Sequence, residues 1–267
     1  MNNIQIAKET IKITEAGRYI AGGHEVVFND VDVKEVIVID PKTGEDLLAE
    51  DLSSLDKDMM CRISVVNDDS FEASKGLNKP LVMNFANAHV PGGGFLHGAA
   101  AQEEALCRTS TLYASISSSK AAEMYRYNNT HISQVESDYM LISPNVVVFR
   151  GEGFVLLEKP YTVGVITAPA PNRYGAAMLA GAKTVDKTFE RRIRIICAAA
   201  AKYGFKSMVL GAWGCGAFGN DPVKVSCIFK QVIIDEGYGR YFEDIKFAVY
   251  GREDGKNITA FRKIFNC

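Results

Sequence analysis

The segment Pro80–Asn87, PLVMNFAN, is an apolar run of strand length, and a loop with three consecutive glycines follows it. Such a run is typical of a strand that is buried on both faces of a parallel sheet. The pattern returns at Ser207–Trp213, where a second apolar run leads into the glycine-rich stretch GAWGCGAFGN. Each glycine loop is followed by a predicted helix. Strands that alternate with helices in this way predict an α/β fold around a mostly parallel sheet.

Hydrophobic periodicity and turn residues predict the other elements of the chain. The sequence contains no internal repeat, low-complexity run or linker. Helices are predicted over residues 1–17, 70–76, 99–117, 176–203, 222–236 and 258–265, and strands over residues 34–40, 62–67, 80–87, 139–149, 162–168, 207–213 and 245–250.

Composition excludes several classes of protein. The formal net charge of −2 gives no general attraction to nucleic acid or to anionic lipid, so neither partner is expected. The six cysteines and four histidines are scattered without the spacing of a zinc site, and no metal or cofactor is expected. No apolar stretch approaches ~18 residues, so no membrane span is expected, and the opening residues do not resemble a secretory signal. Reduced thiols in a cytoplasmic protein are the natural interpretation.

The two glycine loops could each hold an anion with backbone N–H groups, because glycine allows positive φ and close approach to the backbone. Neither loop has the sequence of a P-loop or of a dinucleotide-binding fingerprint. The alternative is that both are tight strand-to-helix turns. Since ligands of open α/β sheets bind at the carboxyl ends of the strands, the loops are expected to face one cleft. The glycines concerned are Gly92, Gly93 and Gly94 in the first loop and Gly211, Gly214, Gly216 and Gly219 in the second.

Two adjacent carboxylates, Glu103 and Glu104, follow the first glycine loop at the predicted start of a helix. Neighbouring residues on a helix project about 100° apart, so the two side chains would do different work. One could hold a substrate hydroxyl while the other faces the bond to be broken. An acid that donates a proton needs a raised pKa, which burial or a second carboxylate supplies. The alternative is that Glu104 and Arg108 form an i,i+4 ion pair on an exposed face.

Together these residues resemble the microbial type of poly(ADP-ribose) glycohydrolase, a family with the macrodomain fold. Its signature is three glycines, a spacer of six to eight residues and Gln-Glu-Glu; here seven residues separate Gly92–Gly94 from Gln102–Glu104. The segment NFAN at Asn84–Asn87 resembles the strand-end asparagine motif of macrodomains. The segment GCGAFGN at Gly214–Asn220 resembles the second phosphate loop, and IAKETIKITEAGRYI resembles the family's N-terminal segment.

The resemblance implies a macrodomain-like three-layer α/β/α sandwich with a mixed, mostly parallel sheet and an N-terminal extension. The whole chain, residues 1–267, would be one catalytic domain. Residues 1 to about 60 would be an accessory segment, and residues from about 61 to 267 would be the macrodomain-like core.

The same resemblance implies a reaction and a set of site residues. The enzyme would hydrolyse the ribose–ribose O-glycosidic bonds of poly(ADP-ribose) and release ADP-ribose, with Glu104 as the acid and base and Glu103 on the ribose hydroxyls. Asn87 would contact the terminal ribose, the two loops would wrap the diphosphate, and Phe218 would favour cleavage at chain ends. The ligand-binding residues expected are Asn87, Gly92, Gly93, Gly94, Gln102, Gly214, Cys215, Gly216, Ala217, Phe218 and Gly219, with Asp68 as a candidate for the adenine pocket.

Two other functions remain open: a macrodomain that binds ADP-ribose without hydrolysing it, and a hydrolase of mono-ADP-ribosyl adducts. Poly(ADP-ribose) or ADP-ribosylated proteins are the expected partners, and the chain is expected to be a monomer. Some conspicuous side chains are predicted to have no part in the reaction. His97 is assigned to the surface, Cys215 to a buried position, Trp213 and Tyr174 to packing, and Arg191, Arg192 and Arg194 to a solvated helix face.

Overall fold

The computed structural model describes residues 2–55 and 60–266. The strands are β1 (Arg18–Ala21), β2 (His24–Val27), β3 (Ile37–Ile39), β4 (Arg62–Val66), β5 (Pro80–Phe85), β6 (Met140–Arg150), β7 (Leu156–Ala168), β8 (Ser207–Leu210) and β9 (Asp244–Ala248). The α-helices are α1 (Asn3–Ala16), α2 (Pro41–Ala49), α3 (Ser70–Ser74), α4 (Gln102–Thr109), α5 (Leu112–Ile116), α6 (Ala122–Thr130), α7 (Ala182–Lys202), α8 (Pro222–Lys230) and α9 (Lys256–Phe265).

Seven strands form one sheet in the order β3-β6-β7-β5-β8-β9-β4. The pairs β5–β8, β8–β9 and β4–β9 are parallel, and β6–β7 is antiparallel. The fold class predicted from the sequence is therefore confirmed: a mixed α/β fold with a mostly parallel sheet flanked by helices.

A separate antiparallel hairpin, β1–β2, was not predicted. Its two-residue turn is Gly22-Gly23, and φ is positive at both glycines, +56° and +81°. A turn with positive φ at both central residues matches the twist of the flanking strands, and glycine supplies it without steric strain. The hairpin was missed because each strand is only four residues long.

The predicted helix over residues 99–117 is wrong as a single element. Helix α4 ends at Thr109 and α5 begins at Leu112, because Ser110 adopts an extended conformation and pairs with Val148 of β6. The predicted helix over 176–203 is likewise divided. A short 3₁₀ turn at Ala176–Leu179 precedes α7, which begins after Gly181.

The chain divides into two compact units. The first contains residues 2–38, 84–131 and 140–168, and the second contains residues 39–55, 60–83, 132–139 and 169–266. In the first unit the rings of Tyr19, Phe28 and Phe149 pack together with centroid separations of 5.7 to 6.3 Å. The assignment of residues 1–60 as an accessory segment of one catalytic domain stays a prediction.

Helix α1 opens the first unit and follows standard capping rules. The side chain of Asn2 accepts from the backbone N–H of Gln5, and the Gln5 side chain bonds back to Asn2, which is a complete capping box. Gly17 ends the helix in the left-handed conformation, as predicted. The helix buries Ile6, Ala7, Thr10 and Ile13.

No helix in the described part of the chain is long and apolar enough to cross a membrane. The cysteines at positions 61, 107, 197, 215 and 227 are free, and Cys267 lies outside the described residues.

The assignment of Arg192 to a solvated face of α7 is wrong. In the second unit its side chain is 0% exposed and bonds to three acceptors of residues 132–139 and 169. Nε donates to Asp138 (2.9 Å), Nη1 to the Pro169 carbonyl (2.9 Å) and Nη2 to the Val135 carbonyl (2.6 Å). Arg191 also pairs with Asp138, but its side chain is about half exposed. The Arg192 pairing holds the segment 132–139 against α7.

We expect Arg192→Met to lower the free energy of unfolding by about 3–5 kcal/mol, because it leaves two carbonyl groups without a donor and removes a buried charge partner. The matched variant Arg191→Met should cost less than about 1 kcal/mol, because its ion pair is partly solvated. Urea denaturation followed by circular dichroism measures both. Equal costs for the two variants would contradict the structural role of Arg192.

Candidate active site

The first glycine loop lies in the first unit, between the last residues of β5 and α4, and Gln102 is the first residue of this helix. Its Oε1 accepts from the backbone N–H of Phe85 at 2.9 Å, which ties the first residue of α4 to the last residue of β5. In the structure this bond to the strand end helps to place Glu103 and Glu104. The binding of ligand by Gln102 stays a prediction.

Glu103 is buried, with 3% of its surface exposed. Its Oε1 accepts from Nδ2 of Asn84 at 3.2 Å, and its Oε2 accepts from the backbone N–H of Asn87 at 2.8 Å. Glu103 is therefore held by donors from the end of β5 and from the residues that follow it.

Burial raises the pKa of Glu103 to about 8, and the charge of Glu104 adds to this effect. The hydrogen bonds from Asn87 and Asn84 act in the opposite direction, because they favour the ionised carboxylate. Desolvation is the larger effect. Near neutral pH this carboxyl group can therefore hold or release a proton.

Glu104 is also buried, with 7% of its surface exposed. Its Oε1 accepts from the backbone N–H of Gly94 at 2.8 Å. Its Oε2 is buried and has no hydrogen-bond donor among the described residues. The alternative of an exposed Glu104–Arg108 ion pair is wrong, because both side chains are buried. Glu104 thus lies against the glycine loop with one oxygen bonded to the backbone and the other without a donor in the described residues.

Two of the three glycine N–H groups bond within the chain. That of Gly94 donates to Glu104 at 2.8 Å, and that of Gly93 donates to the Val90 carbonyl at 3.0 Å. The binding of a diphosphate by this loop stays a prediction.

Any residue larger than glycine at position 93 would disturb both glutamates. Its φ is +54°, and a Cβ at this position would lie 2.6 Å from Oε1 of Glu104 and 3.1 Å from Oε2 of Glu103. Both distances are shorter than a normal contact. The absence of a side chain at residue 93 is what lets the two carboxylates approach the backbone.

The two asparagines of the NFAN segment differ in burial and in their hydrogen-bond partners. Asn87 is half-buried; its Oδ1 accepts from the N–H groups of His89 and Val90, and its Nδ2 has no partner among the described residues. Asn84 was not singled out from the sequence. It is fully buried and its Nδ2 donates to Glu103 and to Oγ1 of Thr167 at 3.1 Å. A polar residue inside an apolar strand indicates such a partner, because an unpaired buried amide is unfavourable.

The second glycine loop follows β8 in the second unit, and its tip offers consecutive backbone donors. No acceptor in the described part of the chain bonds to the N–H groups of Gly216, Ala217 or Phe218. Gly216 and Ala217 are exposed, and Phe218 is half-buried. Successive free N–H groups make a concave site for anions. Gly214 and Gly219 have φ of +71° and +70°, which this tight loop requires.

Other predictions for this loop have mixed outcomes. Cys215 is buried and burial raises the pKa of its thiol to about 12, in agreement with its assignment to a buried position. Trp213 is fully buried beside Phe189, as predicted. The packing role for Tyr174 is wrong, because the side chain is 77% exposed and only its ring edge lies against Gly219. The residue before it, Arg173, donates its N–H to the carbonyl of Phe218 at 2.9 Å.

Asp68 lies at the end of β4 and is half-buried, and its Oδ1 accepts from the N–H of Asp69 at 2.9 Å. Its role at an adenine stays a prediction, as does the prediction that the two loops face one cleft. His97 is exposed, as predicted. Among residues 2–55 and 60–266 no group of three or more His, Cys, Asp or Glu side chains is placed to hold a metal ion.

A comparison with protein families matched residues 7–151 to the family described as microbial-type PARG, catalytic domain. This range contains β5, the first glycine loop and both glutamates.

Comparison with solved structures indicates the same family. The structure of poly(ADP-ribose) glycohydrolase from Thermomonospora curvata has 36% sequence identity to this chain and a TM-score of 0.91, with 98% of this chain and 99% of that chain covered. The structure of the same protein bound to the inhibitor ADP-HPD has 36% identity, a TM-score of 0.88 and 98% coverage of each chain. The Deinococcus radiodurans poly(ADP-ribose) glycohydrolase in complex with ADP-ribose has 34% identity and a TM-score of 0.80, with 88% of this chain and 95% of that chain covered.

A search of curated proteins gave no match. The family match spans more than half of the chain, and near-complete structural matches at about one third identity agree with it. The chain therefore belongs to the microbial-type poly(ADP-ribose) glycohydrolase family and carries the catalytic domain of a glycosidase.

Proposed function

We propose that this protein hydrolyses the ribose–ribose O-glycosidic bonds of poly(ADP-ribose) and releases ADP-ribose, with Glu104 as the general acid and then the general base. The observation that carries the proposal is the environment of Glu104. Its carboxyl group is buried, Oε1 is fixed by the Gly94 N–H at 2.8 Å, and Oε2 has no donor among the described residues. A carboxyl oxygen in this state can exchange a proton with a bound substrate.

In the first step the proton of Glu104 moves to the ribose oxygen that leaves, and the bond between that oxygen and the anomeric carbon breaks. The anomeric carbon becomes oxocarbenium-like and Glu104 becomes a carboxylate. In the second step a water molecule adds to the anomeric carbon and gives its proton to Glu104. One glutamate then serves both halves of the reaction, unlike the usual pair of carboxylates on either side of the scissile bond.

Glu103 and Asn87 would hold the ribose whose bond is cut. The Asn87 N–H donates to Glu103 at 2.8 Å, so the two residues lie side by side. Nδ2 of Asn87 has no partner in the described part of the chain and is available to a hydroxyl. With its pKa raised to about 8, Glu103 can accept from a hydroxyl or, when protonated, donate to one.

The ligand proposed is ADP-ribose, because related structures are complexes with ADP-ribose and with the inhibitor ADP-HPD. The second glycine loop supplies the donors for its diphosphate: the N–H groups of Gly216, Ala217 and Phe218 are consecutive and unbonded within the described residues. Backbone donors suit a chain whose net charge is −2, since they hold an anion without lysine or arginine.

We propose that the enzyme cleaves the polymer preferentially at chain ends. The Phe218 carbonyl is bonded to the N–H of Arg173, and Tyr174 lies against Gly219, so one side of the second loop is covered by residues 173–174. A covered loop leaves less room for a polymer that continues beyond the bound unit. Phe218, half-buried at the tip, would pack against the terminal ribose.

Glu104→Gln should lower kcat for ADP-ribose release by about 10³-fold, because an amide keeps the bond to Gly94 but supplies no proton. The affinity for ADP-ribose should stay within about threefold, a difference below ~1 kcal/mol. Chromatography of released ADP-ribose and calorimetry measure the two quantities. The exposed Glu152→Gln serves as control and should behave as the wild type. Wild-type turnover by Glu104→Gln would refute its assigned role.

Gly93→Ala should weaken both turnover and ADP-ribose binding, the latter by at least about tenfold, or ~1.4 kcal/mol. The added methyl group would displace the carboxylates of Glu103 and Glu104. Gly153→Ala is a matched control, because Gly153 has a φ of +63° and a Cβ there meets nothing within 4 Å. Both variants carry the same backbone strain, so equal effects on binding would show that strain alone is responsible.

The pH dependence of stability should reveal the proton on Glu103. With a pKa of about 8 in the fold and 4.5 as its ordinary value, the folded protein keeps a proton between these pH values that the unfolded chain has lost. The free energy of unfolding should therefore fall as pH rises through this window, by roughly 3–5 kcal/mol from this group. Glu103→Gln should remove the contribution of this residue to the fall in the free energy of unfolding.

Thermal unfolding at about pH 5 and about pH 9 tests the prediction. The difference in Tm between the two conditions should be smaller for Glu103→Gln than for the wild type, and Glu152→Gln should leave it unchanged. Parallel curves for Glu103→Gln and the wild type would mean that Glu103 is ionised throughout.

A further inference from the structure

The mechanism proposed above leaves Arg108 without a role, although it lies one helical turn after Glu104 on α4. The residue is 1% exposed, and neither its Nε nor its Nη1 has a hydrogen-bond partner among the described residues. A buried guanidinium with unbonded nitrogens has lost part of its hydration without replacement, so a nearby opposite charge would stabilise it.

Glu104 is the carboxylate in the right place. Residues four apart lie on the same face of a helix, and Oε2 of Glu104 is itself buried without a donor among residues 2–55 and 60–266. The charge of Glu104 also opposes the effect of burial, which lowers the pKa of Arg108. Two buried groups of opposite charge, each incompletely bonded, are thus one turn apart beside the glycine loop.

The position of Arg108 is fixed by other elements of the first unit. Oγ1 of the buried Thr10 on α1 donates to the Arg108 carbonyl at 2.7 Å. The guanidinium carbon lies 5.8 Å from the ring centroid of Phe154, within the range of a cation–π contact. Phe154 is held in turn, because Nη1 of Arg150 donates to its carbonyl at 2.9 Å. These contacts hold the charge in place while Glu104 gains and loses a proton.

We propose that Arg108 is a positioning residue for Glu104: its buried guanidinium orients the Glu104 carboxyl group and stabilises the negative charge that forms when Glu104 protonates the leaving oxygen. The proposal rests on the acid/base role of Glu104 proposed above. It adds a residue outside the Gly-Gly-Gly and Gln-Glu-Glu signature to the machinery of the reaction.

The test compares Arg108→Met, which keeps the volume and loses the charge, with Arg108→Lys, which keeps the charge. For Arg108→Met, kcat for ADP-ribose release from poly(ADP-ribose) should fall about 100-fold, as for other misplaced reacting groups, while the Kd for ADP-ribose stays within about threefold. Arg108→Lys should recover at least about tenfold of the lost kcat. Should the Met variant not fold, Arg108→Gln takes its place with the same expected results.

Arg192→Met is the matched control, because Arg192 is also a buried arginine but lies in the second unit, where it pairs with Asp138 at 2.9 Å. It should lower Tm without lowering kcat, when all variants are assayed at a temperature where circular dichroism shows them folded. A loss of kcat in all three variants in proportion to their loss of stability would overturn the proposal. So would wild-type turnover by Arg108→Met.

A double variant separates this inference from the function on which it rests. When Arg108 acts through Glu104, adding Arg108→Met to Glu104→Gln lowers the residual kcat no further. A full additional 100-fold loss in the double variant would overturn the positioning role. Wild-type turnover by Glu104→Gln alone would refute the proposed acid/base role instead, whatever the Arg108 variants do.

Discussion

The site depends on backbone N–H groups at and after the end of β5 that hold two carboxyl groups of the same chain. Gly94 donates to Glu104 at 2.8 Å, and Asn87 donates to Glu103 at 2.8 Å. These bonds make it possible to bury both side chains at adjacent positions, which would otherwise be strongly unfavourable. They also require that residue 93 has no Cβ, since one would meet both carboxylates. The strand before the loop and the helix after it hold the loop in position, and the Gln102 side chain links them by accepting from the N–H of Phe85.

Helix α1, which lies outside the Gly-Gly-Gly and Gln-Glu-Glu signature, also holds the segment that carries the two glutamates. Nδ2 of Asn3 donates to the carbonyl of Gly98 at 3.0 Å, just after the glycine loop, and Thr10 donates to the carbonyl of Arg108 near the end of α4. The N-terminal helix is thus bonded to both ends of the segment that carries the glutamates. This gives a physical reason for the family resemblance to extend to the N-terminal residues, since the position of the glutamates depends on contacts with them.

The sequence was sufficient to predict the alternation of strands and helices, the buried strand β5 and the paired glutamates, because each has a local pattern. It was not sufficient to predict where the donors and acceptors of these residues go. The break at Ser110 arises from a bridge to Val148, nearly forty residues away, which overrides the local helical periodicity. Burial of Arg192 and Arg108 depends in the same way on distant partners. Of the glycine N–H groups predicted to bind an anion, that of Gly94 donates to Glu104, a side chain of the protein itself.

The central claim is that a buried carboxyl group beside the glycine loop cleaves a bond between two sugars. Incubation with defined poly- and mono-ADP-ribosylated proteins, followed by chromatography and mass spectrometry of the products, tests it most directly. ADP-ribose should be released from the polymer, and the first unit attached to the protein should remain. Binding of the polymer without any release, or release from the mono-ADP-ribosylated protein alone, would contradict the claim.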